Sequence, residues 1–131
     1  MKYSDLTCRY FETTPAVGVL SDAPGAAAGV FRGNAGKREH GTWVQFDIQV
    51  ADGQVLDARF LAFGCPHTIA AASWVAENGR GALSVALPES VQALRERFEV
   101  PQDKLGKLLI VEDAWAAATR AAIDSGSVDP N

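Results

Sequence analysis

From Thr42 to Val50 the chain alternates without a break, with Val44, Phe46, Ile48 and Val50 on one side and Gln45, Asp47 and Gln49 on the other. A period of two marks a strand with one buried and one wetted face. Asp52-Gly53 follows, a pair suited to a tight hairpin turn, and Val55 to Phe63 continues as a second strand. There the set Val55, Asp57, Arg59 and Leu61 opposes Leu56, Ala58, Phe60 and Ala62. Both sets carry apolar residues, which predicts a strand partly covered on both faces. The hairpin calls for an antiparallel sheet, and the rest of the chain has to cover its apolar side.

Upstream, Tyr3, Leu6, Tyr10 and Phe11 recur at spacings of three and four and predict an amphipathic helix over 1–11, capped by Ser4 or Asp5. Thr13 to Gly29 is broken by prolines and glycines and reads as loop. A strand begins at Val30-Phe31, and the polar, glycine-rich Gly33 to Gly41 reads as an exposed loop. Gly64-Cys65-Pro66-His67-Thr68 ends the second hairpin strand. An alanine-rich helix over Ile69–Glu77 follows, with Thr68 or His67 as its cap and Asn78-Gly79 as its stop. Leu83 to Leu87 connects to a helix over Pro88–Phe98, closed by Arg95 and Arg97 and stopped by Pro101. A long helix over Lys104–Ile123 presents Leu105, Leu108, Leu109, Val111, Trp115 and Ala118 as a broad apolar face. Strands first and helices after favour an α+β two-layer domain, an antiparallel sheet covered on one face. The expected organisation is one domain over 1–124 and a small polar, frayed tail over 125–131.

Composition matters for what it excludes. With 47% hydrophobic and 21% charged residues, the chain has the balance of a globular domain and not of a disordered one. A net charge of −4 argues against nucleic acid as a partner, although Lys37, Arg38, Arg95 and Arg97 are candidates for a local positive patch. The opening residues lack the apolar segment of a signal peptide, and no apolar run approaches the roughly 18 residues of a membrane span. No membrane partner and a cytoplasmic location are therefore expected, with Cys8 and Cys65 as free thiols. Oligomerisation stays open.

The segment most suggestive of chemistry is Ala62-Phe63-Gly64-Cys65-Pro66-His67-Thr68. A cysteine just ahead of a helix meets unpaired N–H groups and the positive end of the helix dipole, which lower a thiol's pKa. The plainer alternative is a small buried turn residue. His67 lies two residues on, and His40 precedes the first hairpin strand. If those ends converge, Cys65, His67 and His40 form a donor set that zinc or ferrous iron accepts, with water or a carboxylate from Glu39, Glu112 or Asp113 in fourth place. Otherwise both histidines are solvated loop residues. Cys8 reads as structural. The tryptophans Trp43, Trp74 and Trp115 read as core or interface. There is no Walker loop, no G-x-S-x-G and no dinucleotide fingerprint. Gly33-Asn34-Ala35-Gly36 lacks the following helix that a phosphate cradle needs, so an enzyme in the turnover sense is not expected.

Several segments together resemble the IscU/NifU N-terminal family of iron–sulfur scaffold proteins. They are Tyr3-Ser4-Asp5-Leu6 with Thr14-Pro15-Ala16-Val17-Gly18, Asp57-Ala58-Arg59-Phe60 with Phe63-Gly64-Cys65, Ile69-Ala70-Ala71-Ala72-Ser73, and Glu112-Asp113-Ala114. The matches keep order and spacing from about residue 3 to residue 122. The resemblance implies a three-stranded antiparallel sheet with helices packed on one face. It implies a scaffold that receives sulfur from a cysteine desulfurase, binds iron, and passes a labile 2Fe–2S cluster to client proteins. Of the family's three ligand cysteines it implies that only Cys65 is kept, the first falling on His40 and the third on Lys107. The family's aspartate falls on Thr42. The chaperone-recognition stretch lines up with Val100-Pro101-Gln102-Asp103-Lys104, where only the first proline and the lysine match, which puts chaperone binding in doubt. The implied function is a divergent scaffold that binds iron or zinc, or accepts sulfur, at Cys65. The alternative is a non-catalytic paralogue acting as a protein-interaction or zinc-binding regulatory module.

Overall fold

The hairpin forms where the alternation predicts it. In the computed structural model, which describes residues 3–14 and 16–126, β1 (Val30–Lys37), β2 (Thr42–Ala51) and β3 (Gln54–Phe63) make an antiparallel meander. Asp52 and Gly53 turn it with φ of 54° and 73°, the left-handed values that a tight two-residue hairpin needs. Val44, Phe46 and Ile48 are fully buried.

The mixed pattern of β3 has a local cause. Gln49 pairs with Asp57 but Val50 pairs with Val55, so Leu56 is an extra residue. This bulge reverses the parity of the strand. Val55 therefore joins Ala58 and Phe60 on the buried side, while Leu56 is 54% exposed. The chain also covers the far edge of β3: the Phe60 N–H donates to the Ala16 carbonyl and the Gly18 N–H to the Phe60 carbonyl, both at 2.9 Å.

Two expectations about the sheet are corrected. It has four strands, not three, in the order β1-β2-β3-β4, because β4 (Gly81–Ala82) pairs with Gln54 and Val55. Two residues are too few to show a period. Moreover, 33–41 is not a single loop. β1 runs on to Lys37, and only Arg38–His40 form a 3-10 turn. The strand looks like a loop because its glycine at Gly33 answers to packing: a Cβ there would lie 2.1 Å from the Ala118 nitrogen.

The helices are α1 (Asp5–Glu12), α2 (Pro66–Asn78), α3 (Val91–Arg97) and α4 (Leu105–Asp124). Ser4 caps α1, its Oγ accepting from the Thr7 N–H at 3.1 Å. Ser90 caps α3 through the Ala93 N–H, so that helix starts later than the expected Pro88. In α4 the residues Leu108, Val111, Ala114, Trp115, Ala118 and Ala122 form the buried stripe, whereas Leu109, expected to belong to it, is exposed. α4 packs on β1 and β2 and α2 on β3, with α1 against α2 and α3 against α4. One core cluster joins the sheet to all of these layers, with Trp115 edge-on to Phe46 at 5.2 Å. Of the expected tail, Ser125 and Gly126 form a turn after α4; 127–131, like Met1 and Lys2 of the expected first helix, lie outside the described residues.

Candidate functional site

β3 ends at Phe63, and two residues carry the chain into α2. The helix begins earlier than expected: Pro66 is its first residue and Cys65, not His67 or Thr68, is its N-cap. Proline suits this position because its missing N–H is one that a helix start leaves unpaired anyway. Gly64 makes room, since a Cβ there would press on the Thr68 side chain at 3.2 Å. The Cys65 thiol is half-buried and reduced, and its Sγ lies 3.6 Å from the Thr68 hydroxyl.

Two opposing effects act on that thiol. Burial pushes its pKa up, but the Thr68 N–H and hydroxyl, the His67 N–H and the Lys107 ammonium together hold it below the ordinary cysteine value. Lys107 reaches this end of the sheet from the first turn of α4, where its Nζ donates to Thr42 Oγ1 at 3.2 Å. Thr42 opens β2 and is buried. The next residue, Trp43, pairs with Phe63, two residues before Cys65. Sheet register therefore brings Thr42, Lys107 and Cys65 to one mouth.

The histidines have different settings. His67 is 2% exposed, and its ring packs edge-on against Tyr3 at 4.7 Å. Its Nδ1 is buried and has no hydrogen-bond partner. Burial first, then the Lys104 and Lys107 ammonium groups, hold its pKa below the usual value, so it is neutral at pH 7. His40 is exposed in the 3-10 turn after β1 and lines an open depression with Gly36, Lys37, Thr42 and Ile110. Glu39 is exposed beside it, Glu112 is half-buried on α4, and Asp113 is exposed. Among the described residues no three histidine, cysteine, aspartate or glutamate side chains come together to hold a metal ion. The described donors of one chain thus do not supply the four thiolate or imidazole ligands that a 2Fe–2S cargo takes.

Sequence reasoning did not find Thr68, whose hydroxyl faces the sulfur, or Lys104, which acts on His67. The i, i+3 spacing of Lys104 and Lys107 at a helix start was the available signal for the second. It also missed the pin beneath the sheet. Asp47, buried on the face opposite Phe46, takes the Arg32 guanidinium at 2.7 and 2.9 Å and the Leu20 N–H at 3.0 Å. Arg32 also donates to the Ser21 carbonyl at 2.8 Å. This network ties the long first loop to the sheet.

A meander backed by helices, with a lone thiol at a strand-to-helix mouth, is the class of domain that this fold and site define. The chain matches the family profile described as the NifU-like N terminal domain over residues 2–122. It is 30% identical over 120 residues to the iron-sulfur cluster assembly scaffold protein IscU of Haemophilus influenzae, covering 90% of this chain and 93% of that one. Against the IscU scaffold protein of Escherichia coli the identity is 31% over 120 residues, covering 90% and 91%. Its fold is similar to that of an N-terminal NifU-like protein from Brucella abortus, with a TM-score of 0.68 at 20% identity, covering 92% of this chain and 94% of that one. The chain belongs to the NifU-like N-terminal domain family, which includes the IscU scaffolds. No helix among the described residues is long and apolar enough to cross a membrane.

Proposed function

We propose that this protein serves iron–sulfur cluster assembly as a divergent scaffold-type carrier that accepts sulfur on Cys65. The observation that carries the reading is the placement of Cys65 as the N-cap of α2, half-buried and held toward the thiolate by Thr68, His67 N–H and Lys107. The thiolate is the nucleophilic form, and such a position favours it. The sulfur donor would be a persulfide on a cysteine desulfurase, and the recipients would be iron–sulfur client proteins. The protein would act as a carrier and not as a turnover enzyme. A complete cluster, or a tightly held iron or zinc ion, would take further ligands from a second chain or a partner, because the described residues bring no third donor to Cys65.

The test is anaerobic incubation with a cysteine desulfurase and cysteine, followed by mass spectrometry of the intact chain. One added sulfur atom is expected on the native protein and none on Cys65→Ser. A native chain that gains no sulfur overturns the reading. The same absence of a third donor favours a second reading, a non-catalytic paralogue that works by binding its partners. Full biological activity in Cys65→Ala would select that one.

A further inference from the structure

We propose that Lys107 selects the cargo of Cys65: anchored on Thr42, its ammonium holds an anionic sulfur at the mouth of α2 and keeps a divalent cation out. The inference rests on the reading of Cys65 as a sulfur acceptor and deepens it.

The geometry comes from three elements. Thr42 is 5% exposed and opens β2 on the same face as Val44 and Phe46, the face that α4 covers. The 3.2 Å bond from Lys107 Nζ to Thr42 Oγ1 fixes a long, flexible side chain at its tip. The pairing of Trp43 with Phe63 sets that tip beside the turn carrying Cys65. An ammonium has three donors, and Thr42 engages one of them. Lys104, one turn earlier in the chain, adds a second positive charge whose field reaches His67. The mouth therefore presents the Lys107 ammonium and the positive end of a thirteen-residue helix to the sulfur, while the charge of Lys104 falls on His67. A metal ion arriving at the sulfur meets repulsion from Lys107. An anion there is stabilised by the Thr68 and His67 N–H groups, the Thr68 hydroxyl and Lys107, which together outweigh the cost of burial.

The sulfur species that gains most is a perthiolate. The Cys65 thiolate attacks the terminal sulfur of a donor persulfide, R–S–SH. A bond forms between Sγ and that sulfur, the donor's S–S bond breaks, and its electron pair leaves with the donor as the thiolate R–S⁻. The terminal sulfur carries its proton across, giving Cys65–S–SH, which releases it to water and becomes Cys65–S–S⁻. No oxidant is consumed. The negative charge now sits about 2 Å beyond Sγ, farther from the helix amides, so that more of its stabilisation has to come from the Lys107 ammonium.

The test compares the full chain with K107M, K107Q and K107R. Circular dichroism establishes folding, and K107Q, which keeps a donor for Thr42, serves if K107M fails to fold. Each protein receives cysteine persulfide under anaerobic conditions, with sulfur on Cys65 followed by mass spectrometry. Each is titrated separately with zinc alone. Removing the charge is expected to slow sulfur loading about 3- to 10-fold and to tighten zinc binding about tenfold, while K107R keeps both native values. Opposite movement of the two readouts is something a loosened structure does not produce. Unchanged readouts in both K107M and K107Q, or parallel loss of both, overturn the role of Lys107. A native chain that takes no sulfur overturns the parent reading instead.

Discussion

Cys65 shows how one residue's properties are set by its neighbours. Burial alone would suppress its thiolate, and the helix start, Thr68 and Lys107 outweigh that burial. Alkylation of Cys65 is accordingly expected to titrate at lower pH in the native chain than in the same chain unfolded in urea. A midpoint equal to or above the unfolded one contradicts the geometry. The depressed native pKa adds stability above the unfolded thiol's pKa, and this is lost as pH falls through the native value. His67 works on a different pH range. Its pKa is depressed from about 6.5 by burial and by two lysines, so the native state resists a proton that the unfolded chain accepts. Stability is full above the unfolded histidine's pKa and declines as pH drops below it toward the native value. In urea titrations His67→Phe should remove that part of the acid sensitivity; a His67→Phe profile as steep as the native one excludes the assignment. Asp47 was invisible as a special residue, because on the polar side of an alternating strand it reads as solvated. In fact its side chain is fully buried against Arg32. Asp47→Ala leaves a guanidinium and the Leu20 N–H without their acceptor and should cost about 3 kcal/mol of unfolding free energy.

At the scale of elements, the α4–β1 contact is the most sensitive. Gly33 lets the helix backbone approach the strand, and a methyl group there would sit inside the Ala117–Ala118 backbone. Gly33→Ala is expected to destabilise by about 3 kcal/mol, measured by urea denaturation; a change near zero would mean that α4 can lift from the strand at no cost. The same glycine explains a misreading. Turn-forming composition normally signals a loop, but here it reflects room for a helix. The bulge at Leu56 produced the other ambiguity, because one extra residue shifts every later side chain to the opposite face. The cap of α2 was misplaced by two residues or more because cysteine is not a usual capping residue. Pro66 at the first helical position was the better guide.

At the scale of the molecule, one apolar cluster unites sheet and helices, and among the described residues no three possible metal donors come together. Chelation with EDTA is therefore expected to leave the melting temperature unchanged, whereas a drop of several degrees would reveal a structural metal. The alternation of β2, the hairpin turn and the apolar stripe of α4 were legible because each is a local period, written in consecutive residues and enforced by burial. They determined an α+β domain with an antiparallel sheet. The sequence likewise marked Cys65 as the residue to watch. Only the tertiary structure decided the company it keeps. His67 lies edge-on to Tyr3, and Lys107, forty-two positions after Cys65, donates to Thr42, sixty-five positions before it. The fourth strand, the buried Asp47 pin and the close approach at Gly33 belong to the same category. Each joins residues distant along the chain, and a local pattern records which face a side chain prefers, not which partner waits on it.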